Sequence, residues 1–144
     1  MLKKEQERSK KMNIQEIKEK DLEKAFQIYQ DCFQGKRKEH NLKITTPLLG
    51  LYQNENLIGI CQINFINNIF ENERIAYINS FGISPKEQHQ GYGDYFLKEI
   101  IQYCKNNKAT KINLTSNKNR KHAHKLYLKN NFNIIDTTFF NKNI

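Results

Sequence analysis

The sequence predicts one α/β domain: a central mixed β-sheet of about six to seven strands with helices on both faces. Three observations predict it. Apolar residues alternate at period two in several short runs and recur at period 3.6 in others, in the order β-α-β-β-β-α-β-α-β-β. Three consecutive strands followed by a β-α-β crossover make a sheet that is antiparallel on one side and parallel on the other. No Pro/Gly/Ser-rich linker and no internal repeat interrupts the 144 residues, a length that suits a single core.

The elements follow in order. Residues 1–12 (MLKKEQERSKKM) lack apolar periodicity and read as a frayed extension, so the domain is expected to span 13–144. Ile14 and Ile17 mark a short first strand. Asp21 is placed to cap a helix that carries Leu22, Ala25, Phe26, Tyr29, Cys32 and Phe33 at helical spacing. The polar stretch 35–46 reads as a loop or a short irregular helix. Pro47–Gln53 and Leu57–Ile66 form a hairpin through Asn54-Glu55-Asn56, and Arg74–Ile83 is the third strand of the meander. A helix follows with Phe96, Leu97, Ile100, Ile101 and Cys104 on one face. TKINLT (110–115) is a strand, and Asn119–Asn130 a helix with Ala123, Leu126 and Tyr127 inward. Asn131 stands where a left-handed residue commonly ends a helix. Phe132–Ile135 and Thr138–Phe140 are expected to close the sheet.

Composition removes several classes of function. Mean hydropathy is −0.82, and no run approaches the length of a membrane-spanning helix. The N-terminus has no apolar core of a secretory signal. Cys32, Cys61 and Cys104 are far apart, odd in number and without a C-x-x-C pair, which argues against a disulfide scaffold or a metal site. A cytoplasmic protein with reduced cysteines is expected. The net charge of +9 suits a polyanionic ligand, although a bias toward Lys, Asn and Ile explains part of it. Its distribution says more: no acidic residue lies between Glu99 and Asp136, a stretch that holds Lys105, Lys108, Lys111, Lys118, Arg120, Lys121, Lys125 and Lys129.

Two segments carry chemistry. In FGISPKEQHQGYGD (81–94) a strand runs through a short loop into a glycine pair that opens a helix. The first N–H groups of a helix have no internal partner, and the dipole there is positive. Glycine lets backbone approach a phosphate closely. Gln88-x-x-Gly91-x-Gly93 is therefore a candidate pyrophosphate cradle. It lacks both the dinucleotide fingerprint and the P-loop lysine, and glycines here also serve tight helix–sheet packing. In NKNRKHAHKLYLKNNF (117–132), Asn119, Ala123 and Tyr127 fall on one helical stripe, with a phenol able to deliver a proton.

Together these segments resemble the GNAT superfamily of acetyl-CoA-dependent N-acetyltransferases, over roughly 13–141. Gln88, Gly91 and Gly93 are similar to its Gln/Arg-x-x-Gly-x-Gly/Ala acyl-CoA motif. Asn119, Ala123, Tyr127 and Phe132 are similar to its second motif, with Asn131 where Gly is usual. The resemblance implies a GNAT-like sheet whose strands at 74–83 and 110–115 splay at their C-terminal ends. The pantetheine arm of acetyl-CoA would pair there with backbone around Phe81, Gly82 and Ile83. The pyrophosphate would rest on Gln88, His89, Gln90, Gly91, Tyr92, Gly93 and Asp94, with Asp94 turned away. Asn119 and Lys121 would hold the CoA arm, and Tyr127 would protonate the departing thiolate. No metal is implied.

One departure matters for mechanism. Many relatives carry a Glu on the central strand; here Ala76–Phe81 offers Asn79 and Ser80 instead. Proton removal is then expected to run through water held by these two residues, or through Glu39 or His40. The acceptor is expected to be a small-molecule or peptide amine, and the basic segment around Lys36, Arg37, Lys38 and Lys43 favours an anionic one. A homodimer is compatible with the sequence, and no membrane partner is expected. A nucleic-acid-directed acetyltransferase and a non-catalytic CoA-binding module are the competing readings. The first is disfavoured because few aromatics interleave with the basic residues.

Overall fold

The computed structural model describes residues 12–35 and 42–144. The extension before Met12 and residues 36–41, with Lys36, Arg37, Lys38, Glu39 and His40, lie outside the described residues. One sheet of five strands, ordered as in the chain, forms the centre. β1 (Met12–Glu16), β2 (Leu48–Gln53), β3 (Asn56–Asn68) and β4 (Glu73–Ile83) are antiparallel neighbours, and β5 (Lys111–Leu114) joins β4 in parallel. The helices are α1 (Leu22–Phe33), α2 (Tyr92–Asn106) and α3 (Lys121–Lys129). Met12, expected in the extension, is the first residue of β1 and is buried.

The two faces bury separate clusters. α1 lays Ala25 and Ile28 on Tyr52, Leu57 and Ile60. α2 and α3 cover the other face, where Phe96, Leu97 and Ile100 of α2 are each 0% exposed against Ile63, Ala76, Ile78 and Phe81. Burial of each such side chain contributes about 1.5–3 kcal/mol. These residues recur three and four apart, which is why one stripe of α2 meets the sheet.

Local chemistry decides the ends of the helices. Asp21 does not cap α1 through its side chain; its Oδ2 accepts the Tyr52 hydroxyl at 2.9 Å instead, and a single 3-10 turn, Glu19–Asp21, leads into the helix. α3 ends as expected. Asn131 has φ of 66°, Phe132 N–H donates to Tyr127 O at 3.0 Å, and Asn131 N–H donates to Leu128 O at 3.1 Å. This is a Schellman closure with its usual apolar contact, the Phe132 ring lying 5.7 Å from that of Tyr127.

Among the described residues there are five strands rather than six or seven, because neither Phe132–Ile135 nor Thr138–Phe140 forms a strand. Ile134, Ile135, Phe139 and Phe140 are exposed. Their apolar residues come in adjacent pairs, so no register turns all of them to one face. β5, only four residues long, also offers few pairing groups. A groove of about 400 Å³ follows its outer edge, lined by residues such as Cys104, Ile112 and Phe132, and none of the expected site residues lines it.

Candidate active site

The site begins where β4 stops being a regular strand. Ile60 pairs with Gly82 and Gln62 with Asn79, so Cys61 alone faces both Ser80 and Phe81. This is a β-bulge, and Ser80 takes the left-handed φ of 58°. Bulges re-aim side chains and backbone groups, and a non-glycine residue in this conformation is held there by its surroundings. On the other edge, pairing with β5 ends at Ile78 and Leu114, while β4 runs on to Ile83. The two parallel strands thus part company just as the bulge begins.

The end of β4 is pinned. Ile83 O accepts Gln88 Nε2 at 2.9 Å and the Cys32 thiol at 3.1 Å. Both lone pairs of that carbonyl are filled. Any backbone pairing at Ile83 therefore excludes its carbonyl. Gln88, expected at the pyrophosphate, spends its amide N–H on the loop itself. A Cβ on Gly82 would meet Cys32 Sγ at 2.9 Å, so glycine lets α1 approach the strand.

The loop after β4 turns through Pro85–Glu87, a single 3-10 turn, into α2. His89 and Gly91 have φ of 62° and 84°. Gly91 is the residue before α2, and an added Cβ there would find nothing within 4 Å. Space above the helix start is open, and the glycine is demanded by φ rather than by crowding. The first intrahelical bond is Tyr95 N–H to Gly91 O, at 3.2 Å. The N–H groups of Tyr92, Gly93 and Asp94 precede it and point out of the helix start. A Cβ on Gly93 would make only ordinary contacts with Leu126 and Ile83. The Tyr92 side chain is core, its hydroxyl taking Gln53 Nε2 at 3.2 Å, so only its backbone belongs to the cradle. Asp94 points away from the loop mouth, held by Lys98 at 2.7 Å, Asn130 at 2.9 Å and Lys129 at 3.7 Å. Lys98 does most to hold its carboxyl below the ordinary value; burial opposes this, and Asn130 and Lys129 assist.

α3 forms the opposite wall. Tyr127 is buried with its ring 6.4 Å from Phe81, which itself stacks on Phe96 at 5.2 Å. Burial pushes the Tyr127 phenol up, and the Arg120 guanidinium pulls it back. Asn119 and Lys121 are exposed at the start of α3, where Asn117 Oδ1 accepts Asn119 N–H at 3.0 Å. His122 meets His89 edge to face at 5.6 Å, which brings the two walls together. Asn79 is exposed on the α1 side of the sheet and accepts Asn64 Nδ2 at 2.7 Å.

Arg120 was not among the residues expected from the sequence. Its guanidinium lies 4.7 Å from the Phe33 ring and acts electrostatically on both Cys32 and Tyr127. The signal available was its place directly before α3 inside the acid-free run. Burial holds the thiols in the protonated form. Burial raises Cys32 and Cys104 to about 11 and Cys61 well above its ordinary value, so thiolate is scarce at neutral pH. Among the described residues no cluster of His, Cys, Asp or Glu could hold a metal ion, and no helix is long and apolar enough to cross a membrane.

The parallel strands part at the bulge, and the glycine-led start of α2 and the buried Tyr127 stand beside that point. The model of the acetyltransferase (GNAT) family matches residues 13–132, and the chain belongs to that family. No curated protein matches the sequence. Solved structures share the fold at low identity. An aminoglycoside acetyltransferase from an uncultured soil metagenomic sample is 14% identical, with TM-score 0.78 over 94% of this chain and 97% of its own. A ribosomal-protein-alanine N-acetyltransferase from Brucella melitensis biovar Abortus 2308 is 15% identical, with TM-score 0.73 over 92% and 99%. A predicted acetyltransferase from Clostridium acetobutylicum, determined with acetyl-CoA, is 19% identical, with TM-score 0.69 over 91% and 96%.

Proposed function

We propose that this protein transfers an acetyl group from acetyl-CoA to a primary amine of a small molecule or peptide, by direct attack of the amine. The observation that carries the reading is the coincidence of the Ser80 bulge with the end of β4–β5 pairing, opposite the helix start at Gly91. The residues present fit the CoA moiety. The open space at Gly91 admits a pyrophosphate, and the outward N–H groups of Tyr92, Gly93 and Asp94 can receive it. His89, His122 and Lys121 border the same mouth. Acetyl-CoA, when bound, supplies an activated acetyl group.

The protein's own tasks are to orient, to polarise and to move protons. Backbone N–H groups at the end of β4 are the candidates to donate to developing negative charge on an acyl oxygen. Tyr127 stays protonated through the neutral range, as an acid for a departing thiolate must. The attacking amine, with an ordinary pKa of about 10, must lose a proton first. Asn79, Ser80 and water handle that proton in this reading, since β4 between Ile75 and Ile83 has no Asp, Glu or His. The buried thiols support a non-covalent route and a reducing, cytoplasmic setting.

The face beside Asn79 supports an acceptor that is not a polycation. Its polar pairs are uncharged: Asn64 with Asn79, and Gln62 Nε2 with Thr46 Oγ1 at 3.0 Å. Glu73, at the far end of β4, is tied to Lys111 at 2.7 Å. A panel of amines scored for release of the CoA thiol at pH 8 tests the function. Amine-dependent release, stronger with neutral or acidic peptides and amino acids than with aminoglycosides, is expected. Absence of release with every amine would leave a binding module instead.

A further inference from the structure

Among the described residues, β5 is the last strand of the sheet and pairs only with β4. Its other edge is a row of unpaired N–H and C=O groups, the kind of edge that proteins cover or blunt. The groove beside it is lined by Thr110, Lys111, Ile112 and Asn113 in succession. Successive strand residues point to opposite faces, so a groove lined by all four runs along the backbone edge and not over one face. Asn133 and Ile135 line it from the segment after α3. The groove is thus a slot between two stretches of backbone. The same chain carries a segment that suits it. Ile134, Ile135, Phe139, Phe140 and Ile144 are exposed, Phe139 by 77% and Phe140 by 86%. Among the described residues the last backbone hydrogen bond is that of Phe132 N–H to Tyr127 O. Thr137, Thr138, Phe139 and Phe140 are β-branched and aromatic, which favours a strand. An adjacent apolar pair faces both sides of a strand at once, as in strands that are covered on both faces.

We propose that the protein is a homodimer in which each chain lays residues 136–144 along the β5 edge of the other. A second copy is the occupant because each chain brings one unpaired edge and one uncovered strand-forming segment. A two-fold arrangement satisfies both at once and closes, so no further copy is recruited. The area suffices. Phe139 and Phe140, counted on both chains, bury about 600–1,000 Å². The isoleucines and the β5 edges raise the total to about 1,200–2,000 Å², the size of a specific interface. Main-chain pairing with β5 supplies affinity, and the apolar lining from Ile101, Ile112 and Ile135 favours phenylalanine over polar side chains.

The test compares the full-length wild type with the double variant Phe139→Asp, Phe140→Asp by sedimentation velocity at micromolar to submillimolar concentration. Amide hydrogen exchange is read at Lys111–Leu114 in the same samples. Wild type should sediment as a dimer, and the double variant as a monomer. The outward amides of β5 should exchange about tenfold faster in the variant, the size of one lost hydrogen bond. Wild type that stays monomeric, with its own tail folded back into the slot or left in solvent, overturns the proposal. A dimer that survives the double substitution, or whose β5 amides exchange as fast as those of the variant, has another interface and also overturns it. Should the variant not fold, an excess of a synthetic peptide of residues 133–144 is added to wild type instead. Conversion of the dimer to a peptide-bound monomer supports the proposal, and a dimer indifferent to the peptide overturns it.

Discussion

Asn64 donates its side-chain amide to the Oδ1 of Asn79 at 2.7 Å, across the β3–β4 pair. The contact occupies part of the oxygen that a relay water would use and turns the Asn79 NH₂ outward. In the proposed reaction Asn79 then serves as a donor that fixes a water or the acceptor, and the proton leaves through water. Asn79→Ala should lower turnover less than about tenfold, because water reorganises, and Asn64→Ala should do the same. Since the pair is one unit, the double variant should fall short of the product of the two effects. With no tuned acid on β4, the rate should climb with pH toward the pKa of whichever amine is used. A fixed inflection near pH 6–7 for every amine (about the range of a tuned His or Glu) would point to a base among other residues.

Gly91 has a left-handed φ of 84° and open space above it. Gly91→Ala should therefore cost about 1–2 kcal/mol from backbone conformation alone, read as a melting temperature lower by a few degrees. Gly91→Glu adds charge and bulk at the cradle and should abolish stabilisation by acetyl-CoA. Gly93→Ala, whose Cβ meets only ordinary contacts, should fold normally. A Gly91→Glu protein that is still stabilised by acetyl-CoA would remove the cradle from this loop.

Tyr127→Phe keeps the ring that packs on Phe81 and Phe132 and removes only the hydroxyl. Turnover should drop by about 100-fold, within the usual range for loss of a general acid, with KM for acetyl-CoA nearly unchanged. Steady-state kinetics with a saturating amine decide this. Unchanged turnover would assign protonation of the thiolate to water.

Asp94, in the first turn of α2, pairs with Lys98 on its own helix and reaches the end of α3 through Asn130 and Lys129. Its carboxyl is held below the ordinary 3.8. A depressed value in the folded state contributes stability that is complete above the unfolded value and disappears as pH falls through the folded one. Asp94→Asn should therefore melt lower than wild type at pH 7, and the gap should close below about pH 4. Melting curves from pH 2.5 to 7 check this; a gap constant with pH would mean that packing, not charge, is lost.

Much of the fold was legible because the residues that decide it are periodic. The core stripe of α2 and the left-handed Asn131 need no tertiary information. Other features depend on partners distant in sequence. Asp21 reads as a cap, yet Tyr52, remote in the chain, takes its carboxylate. Apolar Ile134-Ile135 and Phe139-Phe140 read as strands, yet only a partner edge could make them so. The active site divides in the same way. Gly91, Gly93 and Tyr127 are visible as a pattern. The bulge at Ser80 and the reach of Arg120 to Phe33 arise from strand register and helix docking, which one sequence does not display. Gln88 and Tyr92 were visible, but their side chains serve the loop and the core.

In the proposed reaction the cleft between β4 and β5, beside the loop at Gly91, receives acetyl-CoA. Calorimetric titration of the wild-type protein with acetyl-CoA at pH 7.5 tests it most directly. Saturable binding at one site per chain is expected, weakened by salt because the phosphates would meet Lys121. No heat and no saturation up to millimolar ligand would contradict the account.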